Sequence, residues 1–412
     1  MTRYVVIGCG AAASAAAETL RQADADASIT LMSFEKVRVL ARPRLVEYAS
    51  GVIDLFELET RDQKWFDDLR LDVRLETRAT QLDPARRRVT LSTGEELAYD
   101  KLLLTLGMAT RPVPFEGGDL RGVCQMHFQP QADVVRGFAA TTNSSVVVGG
   151  GLLGQDMAAA LHAAGIKTTL LVREDRIGVP QFDPGSGGML LDELRSIGVD
   201  VRLQTEVARI EGADGRVGSV VTRAGEMIAC QLVLVAIGAM PNTEWLKPTG
   251  LEVGRGIVVD EHLATSLPDV FAAGSCAEIH AAGRTLIQAS WLNATAMGRT
   301  AARNMLGQAE TYREPSSYTT KVGNTMFTLF GSPIAAYPVA RYVTFRGPDG
   351  SYAALVAEGG LVRGGMLVGR HKKAKAIKEL PLRDDPVPGL AEASGEQAVG
   401  LSEFISEALG LG

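Results

Sequence analysis

The chain has 412 residues, of which 46% are hydrophobic and 22% charged, and its formal net charge is −6. That length exceeds what one hydrophobic core usually serves, so two or three domains are expected. The acidic balance argues against nucleic acid or an anionic membrane as the main partner. No apolar run approaches the roughly 20 residues of a membrane span. The chain opens directly on a strand pattern rather than a leader, which gives a cytoplasmic location as the expectation.

Tyr4 to Ile7 form a short apolar run of the kind that makes a strand buried on both faces. Gly8-Cys9-Gly10 follows at once, then an alanine-rich stretch that reads as a helix to about Gln22. Gly8, Gly10 and Ala13 have the spacing G-x-G-x-x-G/A. The first residue permits a tight turn, the second lets backbone approach a pyrophosphate, and the third lets helix and strand pack closely. The helix N-terminus then offers unpaired N–H groups and a partial positive charge to phosphates. A second strand, Ser28 to Met32, is followed by Glu35, where an acid can accept hydrogen bonds from a ribose. This is a dinucleotide-binding unit.

Past Glu35 the run 36–45 brackets Pro43 with Arg42 and Arg44. A forked donor here fits a pyrophosphate, and a solvated basic loop fits equally well. A helix around Trp65–Leu69, a strand Asp72–Leu75, Ala79, and a hairpin turning at Thr93-Gly94 lead to a buried strand Lys101–Leu106 ending at Gly107. Arg111-Pro112-Val113-Pro114 breaks regular structure and marks a crossover between domains.

Ser145–Leu153 and Gly154 then repeat the opening pattern. Gly149, Gly151 and Gly154 make a full G-x-G-x-x-G between a strand and a helix Gln155–Ala164, and the strand Thr168–Val172 follows. One chain with two such units has two dinucleotide sites. Hydride transfer between a nicotinamide and a flavin is the simplest chemistry that joins them. An amphipathic helix on Leu190, Leu191, Leu194 and Ile197, a hairpin near Gly212–Gly215, and buried strands Leu232–Ile237 and Val270–Ala273 carry the chain to a helix Ser290–Leu306.

From about Pro315 short strand-like runs alternate with glycine turns, the texture of a small antiparallel sheet with helices. The basic run 370–378 reads as a solvated helix face or a contact for an acidic partner. Pro381, Pro386 and Pro388 read as a linker. Leu401, Phe404, Ile405, Ala408 and Leu409 share one face of a tail helix, which must fold back or dock another subunit. The four cysteines, Cys9, Cys124, Cys230 and Cys276, have no metal-knuckle or local redox spacing, so no metal site is expected.

These landmarks resemble the FAD-dependent pyridine nucleotide–disulfide oxidoreductase superfamily. Its NADH–rubredoxin, ferredoxin and nitrite-reductase-type flavoproteins are the nearest branch. The resemblance rests on Gly8 to Ala13, Glu35 with Arg42-Pro43-Arg44-Leu45, Tyr99-Asp100-Lys101, the central glycines, Pro241-Asn242, Thr265 to Pro268 and Ala289-Ser290-Trp291. It implies an α/β fold of two nested Rossmann-like domains plus a small α+β C-terminal interface domain. FAD would bind 1–112 with 243–314, and NAD(H) or NADP(H) would bind 113–242. The interface domain would span 315–380, and 381–412 would be linker and tail.

Carried over, Gly8, Gly10, Ala11, Ala12 and Ala13 would hold the FAD pyrophosphate and Glu35 the ribose. Arg42 and Pro43 would lie along the pyrophosphate and flavin, and Ala79 would meet adenine. Gly107, Gly274, Ser275 and Trp291 complete the FAD set. Gly149, Gly151, Leu153, Gly154, Val172, Arg173 and Gly238 form the NAD(P) set. The C-x-x-x-x-C pair of the disulfide members is missing, so the resemblance implies single-electron exchange with an iron–sulfur or rubredoxin-type protein or subunit. Membership of a multisubunit aldehyde oxidoreductase through the tail is one form of that reading. Oxygen, quinone or small-thiol acceptors, and a non-catalytic scaffold, are the alternatives. Glu47 and Asp156 stand where many relatives pair a lysine with a glutamate near the flavin. Either the two acids share a dry site and one is protonated, or one faces solvent. Val172 falls where NAD-specific relatives place an acid, with Arg173-Glu174 just beyond, which tilts the reading slightly to NAD.

Overall fold

The computed structural model describes the whole chain except residues 37–38, 282–283, 314–315, 338, 394, 398–399 and 411–412. Val37 and Arg38 of the basic loop, and the expected boundary at 314–315, therefore lie outside the described residues. Two five-stranded parallel sheets and one six-stranded sheet make up the frame. The first sheet has the order Val270–Ala272, Lys101–Leu104, Arg3–Ile7, Ser28–Met32, Asp72–Arg74. Its first four strands in sequence come before residue 105 and its last from residue 270, so the chain leaves this sheet and returns to it.

The intervening chain builds the second sheet, in the order Asp200–Arg202, Lys167–Leu171, Ser144–Val148, Leu232–Val235, Val123–Cys124. The exit strand Met108–Thr110 and the return strand Ala239–Pro241 pair antiparallel, so one short ribbon carries both crossings. In each parallel sheet the strand before the glycine turn is central, flanked on both sides. Its continuous apolar run follows from burial on both faces.

The alanines of helix Ala11–Ala23 have a packing reason. Ala11 through Ala17 are buried, and the helix lies against Trp291–Met305. A Cβ on Gly298 of that second helix would sit 2.1 Å from the Ala12 carbonyl oxygen. Small residues on both helices permit an approach that larger ones would block.

The six-stranded sheet runs Ser317–Val322, Thr325–Gly331, Leu361–Val368, Tyr352–Glu358, Arg341–Arg346, Gly395–Gln397. It packs on the second sheet's helix Pro184–Ser196. There Asp183 caps the helix and accepts from the Tyr352 hydroxyl at 2.6 Å, while Glu193 accepts from the Asn324 N–H at 2.9 Å.

For the C-terminus one expectation is corrected and one open alternative is decided. The proline-rich stretch is no linker. Val387 and Leu390 are buried, and Gly395–Gln397 adds an edge strand parallel to Arg341–Arg346. The tail helix Leu401–Leu409 folds back on its own chain. Leu401 and Ile405 are buried in the cluster that holds Val343, Phe345 and Leu355, and the Phe404 ring lies 5.1 Å from that of Phe345. The apolar face is satisfied within the chain, so it supplies no argument for hetero-oligomer formation. Because Ile405 is fully buried, Ile405→Ala is expected to destabilise the C-terminal sheet by about 2–5 kcal/mol, measured by denaturant unfolding.

Candidate functional site

A cleft of about 410 Å³ opens at the C-terminal ends of the first sheet's strands. That is where open α/β sheets bind ligands. Gly8 sets its floor with φ at +126°. A Cβ there would lie 2.3 Å from the Thr105 carbonyl oxygen. Gly10 differs. A Cβ there meets nothing within 4 Å, because it would project into open space. Gly10 is also the N-cap of helix Ala11–Ala23, which has no side-chain cap and no acid in its first turn. The free N–H groups and helix dipole at this end face the cleft and suit an anion.

Of the residues expected around FAD, Gly8, Gly10, Ala11, Ala12, Glu35, Arg42, Pro43, Ala79, Gly107, Gly274, Ser275 and Trp291 all line this one cleft. Ala13 does not. It is fully buried in the core beneath the helix, so its part is packing. Glu35 is 5% exposed. Its carboxylate is ion-paired with the Arg42 guanidinium and accepts from the Gln129 N–H at 3.1 Å. Arg42 also donates to the His127 carbonyl at 2.9 Å and lies 5.3 Å from the Phe128 ring. At the other end Ser290 caps helix Trp291–Met305, accepting from the Asn293 N–H at 3.1 Å.

Of the two alternatives for Glu47 and Asp156, the structure has the one in which an acid faces solvent, and the two carboxylates do not share a site. Glu47 has a 45% exposed side chain paired with Arg44 at 2.9 Å. Asp156 is in the cleft wall. The Tyr318 hydroxyl donates to its Oδ2 at 2.5 Å and the Thr320 hydroxyl to its Oδ1 at 2.8 Å. Burial pushes the Asp156 carboxyl up to about 6 despite both hydroxyls, and burial likewise raises the Tyr318 phenol.

Sequence reasoning passed over several residues of the wall. Phe34 and Phe128 meet edge to face at 4.7 Å, with the Arg78 guanidinium 4.2 Å from the Phe34 ring. Burial, then the neighbouring Arg42 charge, lowers His127 to about 4, so it is neutral at pH 7. Strand alternation was the available signal for Tyr318 and Thr320, which stand two apart and so share a face.

The second glycine turn repeats the first. Gly149 has φ at +118°, and a Cβ would lie 2.4 Å from the Ala236 carbonyl oxygen. A Cβ on Gly154 would lie 1.9 Å from the Gly149 oxygen, whereas one on Gly151 meets nothing within 4 Å. Gly151 heads helix Leu152–Ala163, again without a side-chain cap or first-turn acid. Leu153 reaches into the first cleft. Gly238 has φ at +101° beside Arg111.

Val172 is corrected as a ligand contact. Its side chain is fully buried against Gly150, its N–H donates to the Arg202 carbonyl, and its own carbonyl accepts from Thr205. Arg173 is 70% exposed and pairs with Glu174 at 2.9 Å. All four cysteines are buried, with Cys9 in the cleft wall and Cys276 pushed up to about 11 by burial. Among the described residues no cluster of acidic, histidine or cysteine side chains is fit for a metal, and no helix is long and apolar enough to cross a membrane.

With this geometry in place, comparison with known proteins is specific. Residues 2–298 match the pyridine nucleotide-disulphide oxidoreductase family, to which the chain belongs. It is an FAD-dependent NAD(P)H oxidoreductase. It is 32% identical over 279 residues to a rubredoxin-NAD(+) reductase of Pseudomonas putida, covering 66% of this chain and 71% of that one. It is 32% identical to the biphenyl dioxygenase system ferredoxin–NAD(+) reductase component of Paraburkholderia xenovorans, covering 77% and 78%. The covalent putidaredoxin reductase–putidaredoxin complex has a chain that superposes with a TM-score of 0.90 at 26% identity, covering 99% of each.

The two kinds of glycine should separate in experiment. Gly8→Ala is expected to cost about 1–3 kcal/mol of stability through crowding at Thr105. Gly10→Ala is expected to unfold like the parent yet bind FAD at least about tenfold more weakly, a loss of ~1.4 kcal/mol. Thermal unfolding and flavin titration of the stripped protein read the two effects.

Proposed function

We propose that the protein takes reducing equivalents from a nicotinamide through FAD and passes them as single electrons to an iron–sulfur protein of ferredoxin or rubredoxin type. The observation that carries this is the pair of uncapped helix N-termini, each behind a glycine that would clash if substituted and a glycine that opens into free space. Each pair is a cradle for one pyrophosphate. The relatives named above act with rubredoxin or ferredoxin, which supports the acceptor class.

On this reading Gly8, Gly10, Ala11 and Ala12 present N–H groups and close backbone to the FAD pyrophosphate. Glu35 takes the ribose, with Arg42 and Pro43 alongside, and Ala79 borders the adenine. Gly107, Gly274, Ser275 and Trp291 border the far end. Gly149, Gly151, Leu153 and Gly154 receive the nicotinamide dinucleotide, with Gly238 across from them. FAD would be served by residues 1–112 and 243–314, the nicotinamide dinucleotide by 113–242. Bound there, the flavin supplies the conversion of a two-electron donation into single-electron deliveries. The chain's own residues position and exclude water, so no nucleophile is required. No cysteine pair flanks Pro43, so a thiol relay of the family's kind has no groups to run on.

NADH is the preferred donor in this proposal, because Glu174 neutralises Arg173, the cation next in sequence to the expected 2′-position. Glu174→Gln frees that arginine and is expected to raise the NADPH/NADH ratio of kcat/KM. An exposed pair of this kind is worth up to about 1 kcal/mol, which limits the change to roughly fivefold.

The central test is anaerobic mixing of the FAD-loaded protein with NADH, then with oxidised ferredoxin or rubredoxin. Flavin bleaching within the turnover time, followed by reduction of the iron–sulfur protein, is the expected sequence. Slow bleaching by both nicotinamides removes the catalytic reading. Rapid NADH oxidation in air with no added protein assigns the electrons to oxygen instead. Gly151→Ala is expected to keep FAD and to lose the fast bleaching phase.

A further inference from the structure

We propose that the Asp156–Tyr318 pair is a proton-holding site in the cleft wall, contributed jointly by the second glycine unit and the C-terminal sheet, that sets the charge of this part of the cleft. The effect on a bound flavin rests on the function proposed above; the proton site itself rests only on the geometry.

Asp156 lies in the second turn of helix Leu152–Ala163, and Tyr318 and Thr320 belong to the strand Ser317–Val322 packed against it. Two hydroxyls meet the two carboxylate oxygens, at 2.5 Å and 2.8 Å. Both Asp156 and Tyr318 line the cleft. Two neutral hydroxyl donors do less for an anion than a paired cation does, and among the described residues no cation pairs with Asp156.

Among the described residues, the elements that pack most against this helix offer no countercharge to Asp156. Glu47 of the helix Leu45–Ala49 is itself acidic and pairs with Arg44, and Tyr48 donates its hydroxyl to Asp133. The strand Ser144–Val148 carries no ionisable side chain. Lys167 and Lys321 are exposed. The carboxyl therefore faces the cleft with hydroxyls alone, and burial raises it from its ordinary 3.8 to about 6.

The sign follows from that direction. A carboxyl that binds its proton more tightly in the fold than in the unfolded chain stabilises the fold fully below its ordinary value, and the benefit is lost as pH rises through the folded value. Near neutral pH the group passes from neutral to anionic. The proton moves from the Asp156 carboxyl to solvent, and no other bond changes. An added negative charge in the wall opposes the arrival of further negative charge beside it.

Infrared difference spectroscopy across a pH series on the full chain reads the protonated carboxyl directly. Flavin absorbance on the FAD-loaded protein reads the same charge change from the cleft. The expected wild-type result is a carboxyl step with a midpoint near pH 6, mirrored in the flavin spectrum. The step should vanish in Asp156→Asn and move to higher pH in Tyr318→Phe, because the lost hydroxyl donor stabilised the anion. A merely structural role for Tyr318 would leave the midpoint in place. Absence of any step between pH 4 and 8, survival of the step in Asp156→Asn, or an unmoved midpoint in Tyr318→Phe overturns the proposal. Should Asp156→Asn not fold, Tyr318→Phe decides alone. The infrared band belongs to the protein itself, so failure to take up FAD would sink the functional reading without touching this one.

Discussion

Everything in this molecule depends on how closely the Gly8 backbone passes the carbonyl of Thr105. A single carbon atom added at Gly8 would overlap that oxygen, and the turn would have to open. The tight turn aims helix Ala11–Ala23 at the end of strand Arg3–Ile7, and the helix then presents bare N–H groups where the strands end. Gly149 against Ala236 does the same in the second sheet. The close approach forms the site because the helix end stays uncapped. Four orphan N–H groups at a helix start ordinarily demand a side chain or water. Here neither helix supplies the side chain.

The second unit is joined to the C-terminal sheet by a shared apolar cluster and by a few specific polar contacts. Tyr352 reaches the cap residue Asp183, and Glu193 meets the turn at Asn324. Tyr318 and Thr320 reach Asp156 in the cleft wall. A buried carboxylate without a partner costs far more than a hydroxyl contact returns. These contacts therefore fix where the third sheet sits, and in doing so they close one side of the cleft.

The sequence was legible wherever a local rule had one physical cause. Glycine spacing after an apolar strand has such a cause, and both turns and both parallel sheets could be read from it. The alternating runs after residue 316 gave the antiparallel sheet. Legibility failed where the deciding neighbour is distant in sequence. Phe128 and His127 enter the cleft from the turn between strand Val123–Cys124 and helix Gln129–Ala139, and nothing local marks them as wall residues. Val172 stands at a position where a ligand-binding acid was expected, but both of its backbone groups are taken by strand neighbours and its side chain by Gly150. The prolines of 381–388 suggested a linker because proline removes donors. That stretch and the residues after it bury Val387 and Leu390 and lend the sheet an edge at Gly395–Gln397, which only the tertiary neighbours could decide.

The charges around the cleft follow one pattern. Glu35 and Arg42 cancel each other at one end. Burial and the adjacent guanidinium keep His127 uncharged. What the cleft offers a phosphate is mainly helix ends, which are fixed in direction and cannot titrate. Asp156 is the exception, a carboxyl that hydroxyl donors hold with no cation in contact. In a low-dielectric wall a fixed ion pair would hold the local potential steady, whereas an uncompensated acid lets it change with one proton. Around pH 6 a cleft so built responds to pH through Asp156, since His127 is already neutral there. With hydroxyls rather than a guanidinium or ammonium on Asp156, a change of one proton there alters the electrostatics of the cleft wall with no need to move the backbone.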